Sequence, residues 1–515
     1  MKLVKAMATV GGLTGISRIL GFIRDIMTAA ILGAGPVADA FIVALKLPNL
    51  FRRITGEGAF SVSFVPMYSR KLKQDGEEVA DAFASNAFAV MATILTPFVI
   101  AAIIAMPVII HLIAPGFAPG QERYALAVEM TRITFPYLVL ISLSALLGGV
   151  LNAHDKFAPF AAAPIVFNLA LIGALYLATP YLKTGGHALS WGLFAGGILQ
   201  FLGLFACIKR YKIGIKFRMP KFDADIKTLF ALMGPGILGA GVVHINLFVD
   251  IIIASTLPQG SISYLYYADR LNQLPLGMVG IAVGTALLPM LSRALAGNDV
   301  NEARALFNRA LEICLALALP AGVAMLIAAH PLIRALFQNG NFGSADALTT
   351  AHVLMGYAVG VTPYVAGKVF STAYYSRQDT KTPVKIAVLC ALTNIGGALI
   401  LIQFMGPAGI ALSTGIVGWL QFFMLKNGLK GLESTKYDER FLFSLPRIFF
   451  AACFMAAVVA IVGHSLDGYF DGNKIERLSA LAVLVASGLV TYSIAIVGTG
   501  AIRLHDFKKI LRKKV

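Results

Sequence analysis

The chain has 515 residues, of which 58% are hydrophobic and only 13% charged, and its formal net charge is +17. Soluble globular domains carry roughly 25% charged residues, so this balance excludes that class and points to a polytopic membrane protein. The hydrophobic runs number about fourteen, each near the roughly 20 residues that a helix needs to cross the hydrocarbon core.

The first predicted helix, residues 8–33, begins almost at Met1 and has no small-residue cleavage site after it, so it reads as a retained span and not a signal peptide. It carries Arg18 and Arg24, about 120° apart on an ideal helix, with Gly21 between them. In the second span, 37–68, Asp39, Lys46 and Arg53 recur every seven residues and share a stripe with Asn49, while Arg52 flanks it and Pro48 interrupts the helix. Spans at 83–113, 124–152, 159–181 and 187–208 complete a first lobe, 1–208, which a basic linker, 209–227, joins to a second. That lobe, 228–428, holds spans at 229–257, 262–294, 305–337, 346–375, 383–405 and 407–427. A second linker, 429–441, leads to the segment 442–515, with two more spans and a basic tail.

The chain also repeats itself with a period of roughly 224 residues. VPMYSRKL at Val65 echoes LPMLSRAL at Leu288, Pro97 pairs with Pro320, Pro107 with Pro331, and the loop NAHDKFAP with SRQDTKTP. Each repeat contains an even number of spans, so both enter the membrane in the same direction. The expected fold is all-α: two pseudo-symmetric six-helix lobes around a central cavity, plus two extra C-terminal helices.

Basic residues fall mostly in alternate loops, among them Arg70, Lys71 and Lys73, the 209–227 linker, Arg377 to Lys385 and the tail, whereas the opposite loops hold few, Arg123 and Arg132 among them. This asymmetry puts both termini in the cytoplasm. It explains the net charge as a topology signal reinforced by anionic membrane lipids, and argues against nucleic acid as a partner. The four cysteines lie in apolar spans at unrelated spacings, and no group of residues suggests a metal site, a catalytic constellation or a nucleotide-binding loop. The chain reads as a transporter, not an enzyme.

Arginine within a span costs roughly 2.5–3.5 kcal/mol on insertion scales, so it is normally hidden in a protein interior or a wet cavity. Arg18, Arg24, Arg52 and Arg270 are such residues, Arg270 lying in the second lobe's counterpart of the second span. Ion pairing with Asp25, Asp39 or Glu57 is the structural alternative to a substrate-facing cluster. The guanidinium fork matches phosphate oxygens bidentately, which favours a phosphate or pyrophosphate cargo. Asp250, near Asn246, and Asn394 form a separate candidate set for Na⁺ or H⁺ coupling, against which stands a role as packing polar residues.

The opening segment SRILGFIRDIMTAAILGAGPVADAFIVALKLPNLFRRITGEGAFSVSFVP resembles the lipid II flippases of bacterial cell-wall synthesis, the MurJ or MviN family of the multidrug, oligosaccharidyl-lipid and polysaccharide exporter superfamily. YYADRLNQLPLGMVGIAVGTALLPMLSRAL and AYYSRQDTKTPVKIA extend the resemblance over nearly the whole chain. It implies transfer of lipid II, the undecaprenyl-pyrophosphate-linked disaccharide-pentapeptide, across the bacterial cytoplasmic membrane, with cell-wall synthesis proteins as partners. It implies that Arg18, Arg24, Arg52 and Arg270 line the cavity, that Asp39 is the functional acidic position, and that Ser17, Asn49 and Ser263 lie nearby. A flippase for another polyprenyl-linked glycan fits the charge equally well. A cation-coupled multidrug antiporter shares the architecture but calls for an acidic cavity.

Overall fold

A chain this apolar leaves its backbone groups no partner inside a bilayer except each other, and the computed structural model is accordingly helical throughout its spans. The structure describes residues 2–52 and 60–501, with side chains except those of 2–7, 235–247 and 278–286. In chain order the helices are α1 (Lys2–Leu32), α2 (Pro36–Arg52), α3 (Ser61–Gln74), α4 (Glu77–Ile104), α5 (Met106–Ile113), α6 (Glu122–Thr134) and α7 (Tyr137–Ala153). There follow α8 (Phe157–Leu177), α9 (Gly185–Arg210), α10 (Ala224–Ser255), α11 (Ser261–Ala296), α12 (Val300–Ile327) and α13 (Ala329–Phe337). The last are α14 (Ser344–Tyr375), α15 (Lys381–Met405), α16 (Pro407–Gly428), α17 (Glu439–Ser465), α18 (Asp467–Phe470) and α19 (Lys474–Gly498).

Ten described stretches are long and apolar enough to cross a membrane, the first Glu77–Ile104 and the last Lys474–Gly498. Helices α1, α10 and α11 fall at the predicted first, seventh and eighth spans, and α2 and α3 at the two ends of the predicted second span, 37–68, of which residues 53–59 lie outside the described residues. The predicted third and ninth spans are each broken in two, α4 from α5 and α12 from α13. Pro107 and Pro331 stand at the breaks, and α4 and α12 are both 28 residues long. The paired loops share a backbone feature at places one residue apart: Asp155 and Gln378 both adopt a left-handed φ, 60° and 62°.

Proline inside a span frees the carbonyl four residues earlier, and in a membrane that group needs another donor. At four of these prolines a neighbouring helix supplies it. The carbonyl of Ala44, freed by Pro48, accepts from Thr134 Oγ1 at 2.8 Å. Arg132 Nε donates to Ile103, freed by Pro107, at 3.1 Å. Tyr492 Oη donates to Ala316, freed by Pro320, at 2.6 Å, and Trp419 Nε1 to Val359, freed by Pro363, at 3.1 Å. Each kink is thereby tied to a specific partner helix.

The chain divides into two compact units, residues 1–263 and 264–515. In the first, α1 packs on α8, α2 on α6, and α7 and α8 on α9, while α10 packs against α3, α4 and α5. Its apolar core runs through Phe64, Tyr68, Phe83, Leu146 and Leu204. In the second, α14 packs on α12 and α16, α15 on α16, and α17 on α12 and α19. Glycines bring α14 and α16 close: a Cβ on Gly415 would stand 2.6 Å from the Gly356 carbonyl oxygen.

Both linkers are strapped to their own unit by an asparagine. Asn86 on α4 accepts from the Lys221 N–H (2.9 Å) and donates to the Lys221 carbonyl (2.8 Å). Asn308 on α12 donates to the Lys436 carbonyl (2.9 Å) and accepts from the Asp438 N–H (3.3 Å). Beyond each clamp an aspartate caps the next long helix: Asp223 takes the Ile226 N–H of α10, and Asp438 the Phe441 N–H of α17.

Candidate functional site

The arginines of α1 occupy two different environments. Arg18 is exposed, and among the described residues its side chain makes no hydrogen bond or ion pair. Arg24 is part-buried with its fork spread over two partners. Nη2 and Nε reach Asp25 Oδ1 at 2.7 and 3.1 Å, and Nη1 donates to Asn168 Oδ1 on α8 at 2.9 Å. Asn168 completes the link by donating through Nδ2 to the Ser17 carbonyl at 3.1 Å, with the Ser17 hydroxyl at 3.5 Å. Asp25 and Asn168 are both buried. One asparagine thus joins α8 to Ser17 and Arg24, and Asp25 offsets the charge of Arg24 while Arg18 keeps its own.

Asp39, near the start of α2, is fully buried. Its Oδ2 accepts from the Gly260 N–H at 2.7 Å, and its Oδ1 from the N–H and hydroxyl of Ser263 at 2.9 and 2.7 Å. Asp39 therefore caps the start of α11, satisfying backbone donors that have no carbonyl within their own helix. Arg123 Nη1 stands 3.9 Å from Asp39 Oδ2 and also donates to the Leu257 carbonyl at 3.3 Å, with its guanidinium 4.7 Å from the Phe117 ring centre. The backbones meet closely beside it: the Gly116 N–H donates to Ser255 Oγ at 3.1 Å, and a Cβ on Gly116 would stand 2.1 Å from the Ser255 carbonyl oxygen.

At the other end of α2, Arg52 is half-buried, and Asn49 Nδ2 donates to the Leu45 carbonyl of its own helix at 2.8 Å. Arg53, Glu57, the side chain of Asn246 and the tail beyond residue 501 lie outside the described residues. Asp250 is half-buried on α10 in the first unit. In the second unit, Asn394 on α15 is buried, with Thr414 Oγ1 of α16 3.4 Å from its side-chain oxygen. Arg270 in that unit lies over the ring of Tyr266 one turn earlier, 4.4 Å from its centre. Lys368 Nζ reaches the Leu276 carbonyl at 3.4 Å.

The structure brings Ser17 together with Arg24, and Asp39 together with Ser263. Sequence reasoning missed Asn168 and Arg123. Asn168 is visible beforehand only as the one strongly polar residue in the run FAPFAAAPIVFNLALIGALYL. Arg123 counts as a loop residue in the charge pattern, yet it is a buried residue of α6.

A family model described as lipid II flippase MurJ matches residues 28–479. A probable lipid II flippase MurJ of Rhizobium meliloti is 37% identical, over all of this chain and 97% of its own. The lipid II flippase MurJ of Burkholderia cenocepacia is 33% identical over 94% of this chain and 95% of its own. Among solved structures, lipid II flippase MurJ in an inward closed conformation superposes with a TM-score of 0.77 at 29% identity, over 94% of this chain and 98% of that one. An inward-facing multidrug transporter of the MATE family in the MOP superfamily shares the fold, with a TM-score of 0.67 at 14% identity over 82% of this chain and 96% of that one.

Proposed function

The chain belongs to the lipid II flippase MurJ family, and from that membership we propose that it carries lipid II from the cytoplasmic to the periplasmic leaflet, with the pyrophosphate held by arginines. It is a multi-pass protein of the bacterial inner membrane. The observation that carries the mechanism is Arg18: an exposed cation on an apolar helix, about 1.7 turns from an arginine already neutralised by Asp25. A charge left exposed in a membrane helix calls for an anion from outside the protein.

In this reading Arg24, preset by Asn168, and Arg18 engage the pyrophosphate bidentately, with Ser17 and Asn49 as polar neighbours and Arg52 and Arg270 as further substrate-binding arginines. Asp39 and Ser263 are positioning residues that fix the start of α11, the helix that carries Arg270. Transport follows alternating access, with the lipid tail left in the bilayer. An inside-negative potential assists outward movement of the anion by about 2.3 kcal/mol per charge per 100 mV. Both termini face the cytoplasm, in accord with the placement of basic residues. Na⁺ or H⁺ coupling through Asp250 and Asn394 is a subsidiary proposal; Asp250→Asn then abolishes the dependence of transport on an ion gradient, and unchanged dependence would reject it.

The test is the leaflet accessibility of labelled lipid II in cells depleted of this protein. Lipid II trapped in the inner leaflet, and released on re-expression, is the expected result. Lipid II that reaches the outer leaflet at the normal rate in depleted cells would end the proposal.

A further inference from the structure

The first unit contains a cavity of about 400 Å³ lined only by apolar side chains, within the roughly 300–1,000 Å³ of small-molecule sites. Leu47 and Phe51 come from α2, Phe98, Ala101 and Ala102 from α4, and Ile109 from α5, while Phe248 of α10 closes it. One wall is a set of mutually packed rings: Phe51 lies 5.5 Å from Phe98 and 5.8 Å from Phe135, edge to face in both pairs. The floor, including Leu47, Ala102 and Phe135, is buried, whereas Ala101, Ala105 and Phe98 at the mouth are exposed.

That mouth continues into the outer face of α4 and α5, where Ile100, Ile104, Val108 and Leu112 are 53–73% exposed. A face so apolar on a membrane span is the face that meets lipid. Water has no polar partner in the cavity, so hydrocarbon is the species at hand to fill it.

A cation stands beside the opening. Arg132 is exposed about three turns into α6, a position that the charge pattern counts as a loop. Its Nε donates to the Ile103 carbonyl, between the cavity residues Ala102 and Ala105, and it sits one turn before Phe135 on the same face. Among the described residues its two terminal nitrogens have no partner and no carboxylate pairs with it. Beside lipid, an exposed guanidinium at this depth calls for an anion, and its fork fits a phosphate.

We infer that the cavity and Arg132 form a binding site for a phospholipid of the surrounding bilayer, separate from the proposed substrate arginines, with one acyl chain in the cavity and the phosphate on Arg132. The shallow alanine face of Ala101 and Ala105 suits an unbranched acyl chain better than an isoprenoid, whose methyl branches recur along its length.

The test uses the full-length protein, delipidated in mild detergent and titrated with phosphatidylglycerol while native mass spectrometry counts bound lipid. The wild type is expected to hold one phosphatidylglycerol more tightly than the rest. Ala105→Phe, which fills the mouth, and Arg132→Gln, which removes the charge, are each expected to weaken that one by about tenfold. Lys183→Gln, at an exposed lysine paired with Glu129, is expected to leave it unchanged. Ala101→Val, a smaller filling step, replaces Ala105→Phe if that variant does not fold. Equal titrations for the wild type, Ala105→Phe and Arg132→Gln would overturn the site, as would an equal loss in Lys183→Gln. Displacement of phosphatidylglycerol from it by a polyprenyl phosphate at equal concentration would overturn the phospholipid assignment.

Discussion

Asp39 and Arg18 lie on consecutive helices of the same unit, and the protein treats their charges in opposite ways. Asp39 is fully buried, and both of its carboxylate oxygens are occupied by donors at the start of α11. Arg18 is exposed, and the nearby acid, Asp25, is engaged by Arg24 instead. A buried, satisfied charge fixes structure, because removing it strands its partners. An exposed, unanswered cation in an apolar helix is expensive unless something else binds it. Charge alone therefore does not mark the substrate site; charge together with its local compensation does.

The sharpest way to break this division is to remove the exposed Arg18 and, separately, the half-buried Arg270. Arg18→Ala and Arg270→Ala each lose charge-assisted contacts worth about 1.5–3 kcal/mol, so lipid II export should fall by roughly 10- to 100-fold, read as outer-leaflet lipid II in complemented cells. Normal export in both variants would leave the arginines without a role. Asp39→Ala should act on the fold instead, stranding the Gly260 and Ser263 donors at about 1–3 kcal/mol. The expected result is a lowered thermal-unfolding midpoint, with lipid II affinity of the folded fraction reduced less than in Arg18→Ala; an equal loss of affinity at an unchanged midpoint would erase the contrast.

Asn168→Ala tests the intermediate case. It leaves the Arg24–Asp25 pair and removes one hydrogen bond to a charged group, so export should drop about tenfold, at about 1.5 kcal/mol, and Asn168→Asp should not restore it. Thr134→Val is the smallest change. It removes the donor to the Ala44 carbonyl at the Pro48 kink and should cost about 1 kcal/mol of stability while export stays normal.

Much of the fold is legible in the sequence because membrane insertion imposes it locally. The predicted span 159–181 is realised as Phe157–Leu177, and 383–405 as Lys381–Met405. The breaks between α4 and α5 and between α12 and α13 show in the sequence only as Pro107 and Pro331, since a proline can kink a helix or end it and neighbouring helices decide which. The site is less legible. Arg24 is recognisable as an anomaly, but its hold on Asn168, 144 residues away, depends on how α1 and α8 pack. Asp39 is likewise visible as an acid in a span, whereas its hydrogen-bond donors Gly260 and Ser263 lie more than 200 residues further on. Arg123 and Arg132 resemble loop charges because they are close in sequence to a loop, yet both belong to α6.

The most direct test of pyrophosphate recognition compares the binding of lipid II to the purified wild type and to Arg18→Ala and Arg18→Lys, beside a monophosphate analogue with the same tail and headgroup. The account predicts that the wild type prefers the pyrophosphate by about tenfold. It predicts that Arg18→Ala loses this preference and that Arg18→Lys keeps only part of it, because an ammonium lacks the planar fork. An undiminished preference for pyrophosphate in Arg18→Ala would contradict it.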